Sequence, residues 1–130
     1  VSFWDVDRRR EFGRNTLLSH PSAMAFSPDG ARYAVKNTAG AIVVCDLPHG
    51  EVVSRYIPEV AEEGCDPVFS ADGRYIVDGT WSGRLSVRRT EDLAIEDVEV
   101  LPDAMVVAIS ASADGSLWAI GLNSKSDEPD

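Results

Sequence analysis

The chain has 130 residues, about one domain's worth. Hydrophobic residues make up 44% and charged residues 26%, which excludes disorder throughout, and no apolar run approaches the roughly 18 residues of a membrane-spanning helix. With 22 acidic residues against 12 basic ones the formal net charge is −10, a field that repels phosphate and argues against a nucleic-acid partner.

The N-terminal residues Val1-Ser2-Phe3-Trp4-Asp5-Val6-Asp7 lack the basic start, apolar middle and small-residue cleavage site of a signal peptide. The missing initiating Met points to a piece cut from a longer chain. Residues 2–6 read as a strand, with another expected within 10–18. Arg8, Arg9, Arg10 and Arg14 give this region a basic character, whereas Glu91, Asp92, Glu96, Asp97, Glu99 and Asp103 form an acidic stretch. Solvated surface explains both stretches; complementary ends that meet between chains are the alternative.

A repeat dominates the rest of the chain. Phe26-Ser27-Pro28-Asp29-Gly30 returns as Phe69-Ser70-Ala71-Asp72-Gly73 and, weakened, as Ala111-Ser112-Ala113-Asp114-Gly115, at spacings of 43 and 42 residues between the aspartates. Asp-Gly between apolar stretches is a hairpin signal, because Gly reaches positive φ freely and Asp tolerates the turn. Tyr33-Ala34-Val35 and Tyr75-Ile76-Val77 then read as second strands. Asn37-Thr38-Ala39-Gly40 and Thr80-Trp81-Ser82-Gly83 read as the next turns, leading into the alternating stretches 41–46 and 84–89. Pro48-His49-Gly50 separates the third strand from a fourth, Glu51-Val52-Val53-Ser54-Arg55-Tyr56. No segment holds a 3.6-residue apolar period, and 59–63 is too short and acidic to be more than a loop turn. The class is all-β, with four short strands per unit.

Four strands per unit at a period near 42 is the sequence signature of a propeller blade. The Phe-Ser-Pro-Asp-Gly turn, the Gly-led third strand and Trp4-Asp5 together resemble the WD-repeat β-propellers, over nearly the whole chain. Cys45-Asp46 and Arg88-Arg89 depart from the Trp-Asp of that family. His20 also precedes the turn too closely for the family's His-Ser-Asp-Trp hydrogen-bond network. TolB-type propellers use the same turn, and Gly64-Cys65-Asp66-Pro67-Val68-Phe69 leans toward them. The expected organisation is a half blade over 1–20, blades over 21–60 and 61–102, and a half blade over 103–122. The polar tail 123–130 is expected to fray. Only three blades' worth of strands result, fewer than a ring needs. Either further blades or identical chains must complete this incomplete ring.

Chemistry is sparse. Cys45 and Cys65 stand 20 residues apart with no zinc-ligand spacing, so buried free thiols in a reducing, cytoplasmic setting are expected. His20 and His49 sit in loops without a nucleophile motif, and Glu62-Glu63 and Glu91-Asp92 read as solvated acids. Each Asp-Gly turn offers too few oxygens for calcium. No catalytic residue, metal or cofactor is expected. Trp4, Phe26, Tyr33, Phe69 and Trp118 are expected to pack between blades. Trp81 is placed in a turn that, in propellers of the resembled type, lines a partner-binding rim; it either anchors a partner or folds over the adjacent blade. With Ser82, Thr38, Glu59, Glu62 and Glu63 it makes a rim suited to a basic or amphipathic peptide. The expected function is a non-catalytic protein- or peptide-binding scaffold. A sensor or regulatory portion of a larger enzyme and a self-assembling structural repeat are the alternatives.

Overall fold

The computed structural model describes residues 1–47 and 49–125; Pro48 and the end of the tail expected to fray, 126–130, lie outside the described residues. Every regular element described is a strand. The chain opens with β1 (Ser2–Asp5) and β2 (Arg10–Arg14), an antiparallel pair. A four-stranded antiparallel sheet comes next: β3 (Pro21–Phe26), β4 (Arg32–Asn37), β5 (Ile42–Asp46) and β6 (Val52–Tyr56), paired in that order. A second such sheet holds β7 (Val68–Phe69), β8 (Tyr75–Gly79), β9 (Arg84–Arg89) and β10 (Ile95–Val100). The last pair is β11 (Ala104–Ala111) with β12 (Trp118–Ser124). Two residues of the polar tail, Asn123 and Ser124, therefore belong to a strand: they pair with Met105 and Ala104. The shortness of β7 follows from Pro67 just before it, which has no N–H to donate to a ladder.

The Asp-Gly turns repeat down to their hydrogen bonds. Ser27, Ser70 and Ser112 donate from Oγ to the carboxylates of Asp29, Asp72 and Asp114 at 2.6–2.7 Å. Each same Oγ accepts a backbone N–H from across the hairpin, that of Arg32, Tyr75 or Leu117. The N–H two residues beyond each aspartate also donates to that carboxylate. Gly30, Gly73 and Gly115 take φ values of 72–74°, which a side chain resists. The carboxyls consequently titrate below the usual range: Asp29 is lowered chiefly by Ser27, Asp72, held chiefly by Ser70, lies at about 2, and Asp114, held chiefly by the Ser116 N–H, at about 2.

The sheets stack in chain order, and their first strands β3, β7 and β11 approach one another across the stack. The contacts that join the sheets differ in chemistry. Between the β1–β2 pair and the first complete sheet, Phe3 meets Tyr33 edge-on at 4.6 Å, over Val35, Val43 and Cys45. Asn15 donates to the Tyr33 hydroxyl, whose pKa burial and the neighbouring Cys45 push up to about 12. Between the two complete sheets lies an apolar cluster of Ala34, Ile42, Val44, Phe69, Ile76 and Leu93. On the far side, Val106 packs so closely on Gly79 that a Cβ there would meet its Cγ1 at 2.3 Å. Cys45 and Cys65 are both buried and unbridged.

Tyr33 and Phe69 are buried as interblade packing requires, but Trp4 is 60% exposed, Phe26 58% and Trp118 40%. The register explains Trp4. Tyr33 pairs with Cys45 and Ile76 with Arg88, so Trp4, Cys45 and Arg88 occupy one repeat position. That position faces the preceding sheet in the two complete units, and among the described residues no sheet precedes β1–β2.

The middle contact also carries a buried ion pair. Lys36 of β4, 1% exposed, donates to the Asp78 carboxylate at 2.6 Å and to the carbonyls of Cys65 and Gly79 at 3.1 Å. Burial pushes the Asp78 carboxyl up, with the Lys36 ammonium pulling it back. Removing one partner leaves the other charged and dry. Lys36→Ala or Asp78→Ala should therefore lower unfolding free energy by about 3–5 kcal/mol, and Lys36→Met with Asp78→Leu should recover most of it. Urea unfolding followed by circular dichroism measures both; equal losses in single and double variants would contradict the assignment. The turns make a separate prediction. Their carboxyls are depressed in the folded state, so their stabilisation is full above the ordinary value of 3.8 and is lost as pH falls toward about 2. Asp72→Asn should flatten the melting temperature against pH in that window.

Candidate functional site

The turns 37–40 and 80–83 and the connection 57–64 are drawn to one rim by backbone hydrogen bonds. Glu62 N–H donates to the Ala39 carbonyl at 3.1 Å, and Trp81 N–H to the Glu63 carbonyl at 2.9 Å. Thr38 N–H donates to the His20 carbonyl on the other side of the same turn. Glycine permits the close approach: at Gly40, with φ 85°, a Cβ would lie 2.4 Å from the Glu62 carbonyl oxygen. At Gly83 one would lie 2.3 Å from that of Leu101, whose own N–H donates to the Gly83 carbonyl.

Of the residues picked from the sequence, Thr38, Glu62, Glu63, Trp81 and Ser82 are thus gathered, two turns against one connection. Glu59 is exposed at the start of that connection, and no described contact brings it to Trp81. The Trp81 side chain is 41% exposed, while Ser82 pairs its hydroxyl with Thr80 at 2.9 Å. The rim is less uniformly acidic than its sequence implies. Lys125 donates to the Ser82 carbonyl at 2.6 Å, and the exposed Arg84 stands beneath the same turn.

Below the rim a narrow crevice of about 20 Å³ runs between the two complete sheets, lined by Tyr56, Arg84, Ser86 and Arg88 as well as the Lys36–Asp78 pair. Sequence reading missed it. A lysine closing the apolar run Tyr33-Ala34-Val35-Lys36 and an aspartate closing Tyr75-Ile76-Val77-Asp78 are the available signals. Neither names its partner, because successive strand positions face opposite neighbours.

The opposite rim, also missed, holds a groove of about 630 Å³ between the same sheets, lined by Arg32, Arg74, Arg89, Asp46, Asp72 and Glu91 among others. Arg32 spans it, donating to Asp46 at 3.2 Å and to Glu91 of the next sheet at 2.6 Å. Arg74 is paired with Asp72, and Arg89 with Asp92 and Glu96. The groove is a field of satisfied ion pairs. Among the described residues no three His, Cys, Asp or Glu side chains converge as a metal site.

No protein-family model matches the chain, and no curated protein matches it significantly. Solved structures do. The dihydro-heme d1 dehydrogenase NirN, in complex with DHE, superposes with a TM-score of 0.74 over 93% of this chain at 20% sequence identity. NirN is a propeller protein. The fold here is that of a β-propeller. The four-stranded antiparallel sheets are its blades, and the pairs β1–β2 and β11–β12 are half blades at either end of the stack. Among the described residues neither strand of the first pair approaches the last pair, so the ring is incomplete within this chain. The chain spans 27% of NirN's length.

Proposed function

We propose that this propeller stretch is a non-catalytic scaffold that binds a protein or peptide, in the manner of WD-repeat blades, at the rim carrying Trp81. The observation that carries the reading is the exposed indole on a turn that backbone hydrogen bonds clamp to the acidic connection 57–64. A rigid aromatic anchor beside the exposed Glu63 and the half-buried Glu62 suits a basic or amphipathic peptide. A second reading rests on Trp4, Met24 and Phe26, which are exposed on the side of the stack that no described blade covers. Further blades, or the half blade of an identical chain, would cover them and occupy the unpaired edges of β1 and β12.

Trp81→Ala should weaken binding of an arginine-rich amphipathic peptide by about thirtyfold, as loss of an interface anchor does. Glu62→Gln with Glu63→Gln should slow association and reduce its salt dependence. Calorimetry and stopped-flow titration measure the two, and an unchanged affinity in Trp81→Ala would sink the rim assignment. For completion by identical chains, light scattering should give a whole multiple of 14.1 kDa, and Trp4→Arg should return the mass to one chain.

A further inference from the structure

Two outer strands of the stack carry opposite charge on open edges. β10 stands at the end of its sheet: one edge pairs with β9 and, among the described residues, no strand pairs with the other. All six of its side chains are exposed. The register on β9 sorts them by face. Ile95, Val98 and Val100 stand opposite Arg88, Ser86 and Arg84, while Asp97 and Glu99 stand opposite Val87 and Leu85. The strand therefore shows apolar side chains on one face and acidic ones on the other. Glu96 is answered by Arg89 at 3.3 Å, but Asp97 and Glu99 have no ion pair among the described residues. The outer strand of the other complete blade, β6, contains no acidic residue, so the feature belongs to β10.

β2 is an outer edge of the opposite sign. Among the described residues it pairs with β1 alone, and its Phe12 is exposed. The turn leading into it ends in Arg8 and Arg9, and Arg10 is its first residue. Arg8 lies 3.9 Å from Asp5 and Arg14 2.8 Å from Glu11, whereas Arg9 and Arg10 have no ion pair among the described residues. Two unanswered cations on one edge thus match two unanswered anions on another.

We propose that β10 of one copy docks the basic end of the β1–β2 hairpin of a second copy, edge against edge. Acidic side chains along an open strand keep it from pairing with its own kind, so two β10 edges repel each other. Arginine is the neighbour such an edge admits, and this chain supplies it. Apolar area supports the same pairing: Ile95, Val98 and Val100 gain cover on one side, and Phe12 on the other. The net charge of −10 opposes the approach of two copies only at long range. At physiological ionic strength screening sets in over about 8 Å, which leaves the facing side chains their attraction. The contact is heterologous, since each copy offers one edge of each kind. It is separate from completion of the half blades, which uses β1 and β12.

The test is sedimentation velocity at rising protein concentration and physiological ionic strength. The chain carries Trp4→Arg, so that half-blade association does not contribute. The mass should rise with concentration from 14.1 kDa. Asp97→Lys with Glu99→Lys should weaken this association by about tenfold or more, as should Arg9→Glu with Arg10→Glu, because each turns two attractions into repulsions. All four substitutions in one chain should restore it, since the edges are again opposite. A mass that stays at one chain, reversals without effect, or failure of the fourfold variant to recover overturns the proposal. Should a reversal lose its β circular dichroism signal, Asp97→Asn with Glu99→Gln takes its place, and undiminished association then overturns it. Deuterium exchange on the native chain gives a second readout. Protection gained with concentration over 8–14 and 95–100 supports the edge contact, and none gained there overturns it.

Discussion

The ammonium of Lys36 is the point on which the two complete blades are hung. Its three protons go to the Asp78 carboxylate and to the carbonyls of Cys65 and Gly79, so one side chain of the first blade is tied to three places in the next. Desolvating two charges takes back much of what their attraction supplies. What the arrangement secures is position. A lysine with all its donors engaged fits one relative placement of the two sheets, whereas apolar side chains such as Ile42 and Ile76 tolerate sliding. The surrounding chain is shaped to let it through. A Cβ at Gly64 would lie 2.0 Å from the Gly79 oxygen and 2.8 Å from the Lys36 nitrogen, so any larger residue there would displace the lysine.

The blade contacts use one backbone repeat and three kinds of chemistry. An aromatic edge with an amide–phenol hydrogen bond joins the first half blade, an ion pair over an aliphatic cluster joins the middle, and Val106 set into Gly79 joins the last. The same strand position is Lys36 in one blade and Gly79 in the next, because each faces a different neighbour. In a stack where every unit touches only its neighbours, such differences specify the order of the units. A blade displaced by one repeat would face Lys36 with Ile120 in place of Asp78, and the ammonium would be buried with no counter-charge.

This separates what is legible along the chain from what is not. The Asp-Gly turns are legible because all their partners, serine, aspartate and glycine, sit within five residues, and their hydrogen bonds repeat in all three copies. The strands after them are legible for the same reason. The ion pair is not, since it forms between sheets and depends on which way each position points. The exposure of Trp4 escapes a reading of the sequence because a repeat position shows which face a residue takes without showing whether anything covers that face. Turn spacing marks Trp81 as a turn residue, and it takes the resemblance to WD-repeat propellers to put the connection beside it on the same rim. The crevice beneath them, built by strand interiors, leaves no comparable mark.

Rim and interior are mechanically one unit. The connection 57–64 is held at its far end by the bridge between Gly64 and Thr80 and by Cys65, whose N–H donates to the Gly79 carbonyl and whose own carbonyl accepts from Lys36. Trp81 directly succeeds Thr80, and its N–H donates to the Glu63 carbonyl one residue before that bridge. The buried ammonium is therefore linked to the Trp81 backbone through its own hydrogen bond to the Cys65 carbonyl, the chain from Cys65 back to Glu63, and the Trp81 N–H bond to the Glu63 carbonyl. The Trp81 backbone and the Lys36 ammonium thus hold the same short segment, 63–65, and a ligand gripping the proposed rim would in turn brace the two blades against each other. The rim proposed for recognition and the contact between the blades draw on the same few bonds.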